Sequence, residues 1–382
     1  NGSLILFDKD GNKICNITDL GNAYSLAIGD LDTDGSRDDI MVGAGSGLIY
    51  MFNASCVQKW STSCAGGIVT DVEIGDTDGD GKTDEVVAGS AVGHLCVIDG
   101  ATGSVEWKDQ WAESDDIALC DIDGTAGDEV VTVASLNPDY INIYYSSGAG
   151  ANRIPDCKYT VNTDLLNTAD DPREVECGNM GSDTRVVSLT GWGKISAINY
   201  TCERKWEVQF SGANWNSLEI GDLNNDSFKD VAAAGNGLLY IYNGSGGQVW
   251  STSITASAIV GSQYADGSLE IGDVDGDGYN DIALGDQGGF GWVFYANRTS
   301  FTINSTGNIY DIETFATTAN GYNNTIAVID SDGSVNGSLI VINGTNKNRI
   351  CTSPDLGTVY SLAVADLNND GSKNEMVIGA NK

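Results

Sequence analysis

Residues 268–285 read SLEIGDVDGDGYNDIALG. A short apolar strand runs into an acidic loop, and a second apolar strand follows. In the loop, Asp273, Asp275, Asp277 and Asp281 alternate with residues that let the chain turn. Hard cations need this pattern, since Ca²⁺ takes six to eight oxygen ligands at about 2.3–2.6 Å.

The phrase recurs as DLDTDGSRD from Asp30, DTDGDGKTD from Asp76, DLNNDSFKD from Asp222 and DLNNDGSKN from Asp366. A sixth copy, DIDGTAGD from Asp121, is one residue short and offers Asp121, Asp123 and Asp128 as a weaker site. Each copy follows a strand such as SLAIGD or DVEIGD and precedes one such as DIMVGAG or EVVAGSA. A third strand (GLIYMFN, LLYIYNG) and a fourth, which often carries Trp (Trp60, Trp107, Trp206, Trp250), complete the unit. Short Val/Ile/Tyr-rich runs bounded by Gly, Asn and Asp read as antiparallel β-structure.

The first loop Asp falls at 30, 76, 121, 222, 273 and 366, so the spacings are 46, 45, 101, 51 and 93. The two double spacings hide a unit each, around 173–206 and 310–343. Eight units of four strands, each about 48 residues long, predict an all-β, eight-bladed β-propeller. The chain ends in MVIGANK, a second strand, and begins with NGSLILFDKDGNKI, a third and fourth strand. Across the ends, Asp366 to Asp30 is again 46 residues. The whole of 1–382 is therefore expected to be one propeller, with blade 8 built from about 355–382 plus 1–15.

The acidic loop with its flanking strands resembles the FG-GAP repeat of integrin α-subunit propellers. The third and fourth strands also resemble the repeat of quinoprotein-type propellers. The FG-GAP resemblance implies about five Ca²⁺ ions. Their ligands would be Asp30, Asp32, Asp34 and Asp38; Asp76, Asp78, Asp80 and Asp84; Asp222, Asn224, Asp226 and Asp230; Asp273, Asp275, Asp277 and Asp281; and Asp366, Asn368, Asp370 and Asn374. Each loop's seventh residue would add its backbone carbonyl.

The net charge is −35, but about 20 of the 54 carboxylates sit in the six loops. The remaining excess still opposes nucleic acid and anionic membrane as partners. No transmembrane segment is read, so direct membrane insertion is not expected. Asn1 in place of Met suggests a processed product. Eleven Asn-x-Ser/Thr sequons occur. The expected glycan acceptors are Asn16, Asn53, Asn199, Asn243, Asn297, Asn304, Asn323, Asn336 and Asn343. Sequons and calcium together point outside the cell. Of nine Cys, Cys56 with Cys64 and Cys157 with Cys177 are the candidate disulfides. Cys96 and Cys120 read as buried thiols, and the connectivity stays open.

A search for catalytic chemistry finds one His, His94, no nucleophile motif, and carboxylate pairs already assigned to cation loops. No enzyme activity is expected. The reading is an extracellular, calcium-stabilised, glycosylated propeller that binds itself or another surface protein, as a filament, layer or adhesion subunit. Its irregular segments, 146–172 and 297–325, are expected to carry the contacts. A lectin-like glycan-binding module is the alternative, and a polysaccharide lyase the weaker one.

Overall fold

The computed structural model describes residues 2–63, 66–90, 92–112, 114–134, 139–148, 150–162, 172–181, 183–210, 215–254, 269–286, 289–305, 307–316, 324–331 and 337–381. Among these residues, thirty-two strands form eight four-stranded antiparallel sheets. Blade 1 is Ala23–Gly29, Asp39–Ala44, Leu48–Asn53 and Gln58–Ser63, from the central axis outward. Blades 2 to 7 lie within 69–109, 116–162, 172–209, 215–253, 269–304 and 308–353. Blade 8 closes the ring. Gly2–Phe7 pairs with Glu375–Asn381 from Gly2 opposite Asn381 to Phe7 opposite Met376, with Thr358–Ala365 inside and Lys13–Thr18 outside. The expected sharing of one blade between the chain ends is borne out. It pairs the strand edges that the two chain ends would otherwise leave open, so that the short outer strands remain as the blades' edges.

The strand composition follows from position in the ring. Second strands are buried on both faces, and Asp39–Ala44, Glu85–Ser90 and Asp230–Gly235 are buried throughout. Outer strands alternate, as in Gln58–Ser63 and Gln248–Ser253, with one face wet. The apolar clusters lie between blades rather than within them. Met41, Ile49 and Met51 of blade 1 pack on Val72, Val86 and Ala88 of blade 2. Leu4 and Leu6 of blade 8 pack on Ile40 and Val42 of blade 1.

Polar side chains on the innermost strands stitch neighbouring blades together. Ser25 Oγ donates to Asp71 Oδ1 at 2.9 Å, and Ile117 N donates to Asp71 Oδ2 at 3.0 Å. Val175 N donates to Asp116 Oδ2 at 2.7 Å, and Leu362 N to Asp311 Oδ2 at 2.8 Å. Leu218 N donates to Glu174 in the same way. These first strands do not pair with one another, so the carboxylates satisfy N–H groups at the blade seams.

The expected insert at 146–172 is placed differently. The described residues 145–148 and 150–156 belong to the long turn between the third and fourth strands of blade 3, and Cys157–Asn162 is that fourth strand. The turn lies along the outer strand of blade 2, where Lys108 N donates to Ala151 O and Arg153 N to Lys108 O. Residues 163–171, like 306 and 317–323 in the other irregular segment, lie outside the described residues.

Candidate metal centres

All acidic loops stand on one face of the ring, where each first strand turns into the second. Their conformation repeats. The first carboxylate accepts the N–H of the sixth loop residue in all five clean copies: Gly35 to Asp30 at 3.0 Å, Gly81 to Asp76 at 2.9 Å, Ser227 to Asp222 at 2.8 Å, Gly278 to Asp273 at 2.9 Å and Gly371 to Asp366 at 2.7 Å. The fifth carboxylate accepts the seventh residue's N–H, as Ser36 to Asp34 and Tyr279 to Asp277. The sixth residue takes positive φ, from +72° at Ser227 to +92° at Gly35, which explains the recurring glycine.

The carboxylates converge. Among the described residues, ligand atoms of Asp30, Asp32 and Asp39 lie within 4.8 Å of one another. So do those of Asp76, Asp78 and Asp80; of Asp121, Asp123 and Glu129; and of Asp273, Asp275 and Asp281. In the Asp222 loop, Asn224 Nδ2 donates to Asp230 Oδ1. In the Asp366 loop, Asn368 Nδ2 donates to Glu375 Oε1. Asp226 and Asp370 accept backbone N–H groups as Asp34 and Asp277 do.

Sequence spacing missed one acid in four loops. In the six blades that carry an acidic loop, the residue that opens the second strand is acidic: Asp39, Glu85, Glu129, Asp230, Asp281 and Glu375. In every case its carboxylate accepts the N–H of the second loop residue: Leu31 at 2.9 Å, Thr77 at 2.8 Å, Ile122 at 2.9 Å, Leu223 at 3.3 Å, Val274 at 3.0 Å and Leu367 at 3.0 Å. The loops from Asp30, Asp76 and Asp366 hold one residue more, so Asp38, Asp84 and Asn374 precede this acid. Asp38 and Asp84 stand outside the tight groups, and Asp84 lies 3.9 Å from Lys82. The loop from Asp121, expected to be one residue short, has the length of the Asp222 and Asp273 loops once Glu129 is counted: Asp128 stands outside its own group and Glu129 takes the place expected for it. Asp128 Oδ2 instead accepts Asp76 N of the neighbouring loop at 3.1 Å.

The electrostatics suit a cation. Burial pushes Asp39 and Asp230 up to about 6, Asp281 to about 7 and Glu85 to about 8, and neighbouring loop carboxylates add to each. Asp30 Oδ1 and Asn374 Oδ1 are buried without a hydrogen-bond partner. Orphaned oxygens within an all-oxygen donor set fit Ca²⁺ or Mg²⁺, whose charge would reverse these shifts. The residues that would hold it are the Asp and Asn side chains at loop positions one, three and five, with the strand-opening acid and, in the Asp366 loop, Asn374.

The disulfides need correcting. Cys56 bonds Cys15, Cys157 bonds Cys202, and Cys177 bonds Cys120. Cys120 and Cys96 are therefore not thiols. Cys64 lies outside the described residues, and Cys351 is free. Each described bridge joins neighbouring blades, which is why pairing near neighbours in sequence failed.

The sequons have a structural cause. Asn199, Asn243 and Asn297 cap the turn between third and fourth strands, each Oδ1 accepting the hydroxyl two residues on. Asn53 and Asn343 cap the same turn through backbone N–H groups. Asp8 and Asp99 perform the same capping without forming a sequon. Asn199 is only 8 % exposed, which opposes its expected role as glycan acceptor. Asn16 and Asn304 are exposed on outer strands, and Asn323 and Asn336 lie outside the described residues.

The register Trp residues pack between blades as expected. Trp60 Nε1 donates to Gly100 O at 2.6 Å and Trp206 Nε1 to Gly244 O at 2.9 Å, each on the next blade. Off that register, Trp215 is fully buried against Phe210, whereas Trp111 is 83 % exposed. His94 Nδ1 is buried with no hydrogen-bond partner.

Residues 222–284 match the FG-GAP-like repeat family. No curated protein matches the chain in sequence. Among solved structures, the chain is similar to Sqt1 of Saccharomyces cerevisiae, with TM-score 0.69 and 13% identity over 99% of this chain and 98% of that one. It is also similar to the computationally designed Ika8 protein, with TM-score 0.65 and 14% identity over 94% and 97%. A third likeness is to BBS1N, solved in complex with ARL6DN, with TM-score 0.57 and 13% identity over 82% and 91%. At these identities the likeness concerns the fold.

Proposed function

We propose that this chain, an eight-bladed propeller of FG-GAP-like repeats, is an extracellular, calcium-stabilised protein that works by binding other protein surfaces, further copies of itself included. The observation that carries the reading is an exposed apolar pair at the main irregularity of the ring. Trp111 is 83 % exposed and Ile154 75 % exposed, at the end of blade 2's outer strand and in the 145–156 turn laid along it. Exposed aromatics of this kind anchor protein interfaces. A regular ring offers equivalent faces, so a specific contact draws on a departure from the repeat. Three disulfides across two blade seams suit an oxidising compartment, and among the described residues no helix is long and apolar enough to cross a membrane. The reading assigns the protein no catalytic chemistry.

The test is light scattering and negative-stain imaging of the full chain in millimolar Ca²⁺, alone and with Trp111→Ser/Ile154→Ser. Assembly, or capture of a partner, that the double variant abolishes supports the proposal. A strictly monomeric protein whose partner binding survives the double variant would overturn it.

A further inference from the structure

At each seam of the ring, one outer-strand residue faces one residue in the next blade's outer turn. At most seams that turn residue has positive φ. Seven seams are filled at this point. Cys15 and Cys157 are bonded to Cys56 and Cys202. Trp60 and Trp206 lie beneath Gly103 and Gly246, where an added Cβ would come within 2.7 Å of the indole. Arg153 stacks its guanidinium 4.5 Å from the Trp107 ring, and Lys347 sets its ammonium 5.3 Å from the Phe301 ring. Gly11 meets Cys351, with 2.6 Å from its built Cβ to the sulfur.

The eighth seam, between blades 5 and 6, is open. Trp250 holds the strand position and Arg298, at φ +67°, holds the turn position. Among the described residues no ring contact joins them. The Trp250 indole N–H and the Arg298 guanidinium have no hydrogen-bond partner there. Ala296 stands where Gly100 and Gly244 accept the other indoles. Between the two side chains is a cavity of about 150 Å³, lined also by Phe294, Tyr295, Asn280 and, from the Asp222 metal loop, Asn224 and the carboxyl-bearing Asp230. Phe294 meets the Trp250 ring edge-on at 5.7 Å and fixes its plane.

We propose that this slot binds one six-membered ring bearing a carboxylate, the uronic-acid type of sugar found in acidic glycans. A cavity of this size holds a single six-membered ring. The indole offers a face for the apolar side of a pyranose. The guanidinium fork matches a carboxylate in both geometry and charge. The indole N–H is a further donor. Asn280, whose Nδ2 donates to Asp222 O at 2.9 Å, keeps an amide oxygen for a sugar hydroxyl. The inference does not depend on the assembly reading, because its residues lie on other blades from Trp111 and Ile154.

The experiment is ligand-observed NMR titration of the full chain in millimolar Ca²⁺ with sodium D-glucuronate, D-glucose and sodium benzoate. Glucuronate is expected to bind more tightly than either control. Arg298→Gly restores the residue found at positions 103 and 246 and relieves a positive φ, so the fold is kept. It should weaken glucuronate by roughly tenfold or more, the loss of one charged hydrogen-bonding partner, with an unchanged or higher Tm. Three results would overturn the proposal: equal binding by Arg298→Gly, glucose or benzoate matching glucuronate, or no binding because Arg298 closes on Trp250 as Arg153 does on Trp107.

Discussion

The Cys15–Cys56 bridge ties the outer strand of blade 8 to blade 1, beside the seam where the two ends of the chain meet. Replacing both residues by Ser removes a link between positions 41 apart. On the chain-entropy account, closing a loop of that length restricts the unfolded chain by about 4 kcal/mol. Both residues are partly buried against the apolar cluster shared by blades 8 and 1, so their loss also loosens packing there. Cys56 has φ +62°, a mild strain that serine keeps, so the substitution does not relieve it. The expected loss is about 2–4 kcal/mol, read as a lower midpoint in guanidinium unfolding at constant Ca²⁺. Cys157→Ser/Cys202→Ser, at a separation of 45, should cost a similar amount. Non-reducing peptide maps should recover both pairs. A Cys56–Cys64 peptide, or unchanged stability without Cys15 and Cys56, would refute the reasoning.

Three further outcomes follow from the geometry. Ser227 is the one clean-loop sixth residue that is not glycine and has φ +72°; Ser227→Gly should stabilise the protein by about 1 kcal/mol in thermal unfolding. Glu270 faces Glu313 and Glu219, and burial followed by these two charges raises it well above its ordinary value. Its folded pKa exceeds its unfolded one, so its contribution is fully present at low pH and is lost as pH rises through the folded value. Glu270→Gln should therefore be more stable than the parent at pH 8 by more than about 1 kcal/mol, and no more stable near pH 4. Finally, Asn243→Asp removes a sequon but keeps the turn cap that Asp99 supplies elsewhere. It should unfold like the parent, whereas Asn243→Ala should lose about 1 kcal/mol, measured on protein from a host without N-glycosylation.

Much of this was legible in the sequence because a propeller repeats its local chemistry. The 46-residue spacing across the chain ends is enough to place blade 8. The choice between Asp38 and Asp39 as the buried loop acid was not legible, since it depends on where the second strand's ladder begins. The disulfides failed for a related reason. Their partners sit one blade apart, on a strand and a turn about 45 residues distant. A signal was available, because Cys15 and Cys157 occupy the register position of Trp60. The sequons carry a second meaning, because Asn-x-Ser/Thr is also a good turn cap. The open seam at Trp250 is visible only once all eight seams are compared.

The most direct test of calcium stabilisation is metal analysis of the native protein paired with its melting temperature in calcium and in excess chelator. Five or six equivalents of Ca²⁺ are expected per chain, with a much lower Tm after chelation. At a free concentration one hundred times the dissociation constant, each site adds about 2.7 kcal/mol. One equivalent or none, together with a Tm indifferent to chelator, would contradict the account.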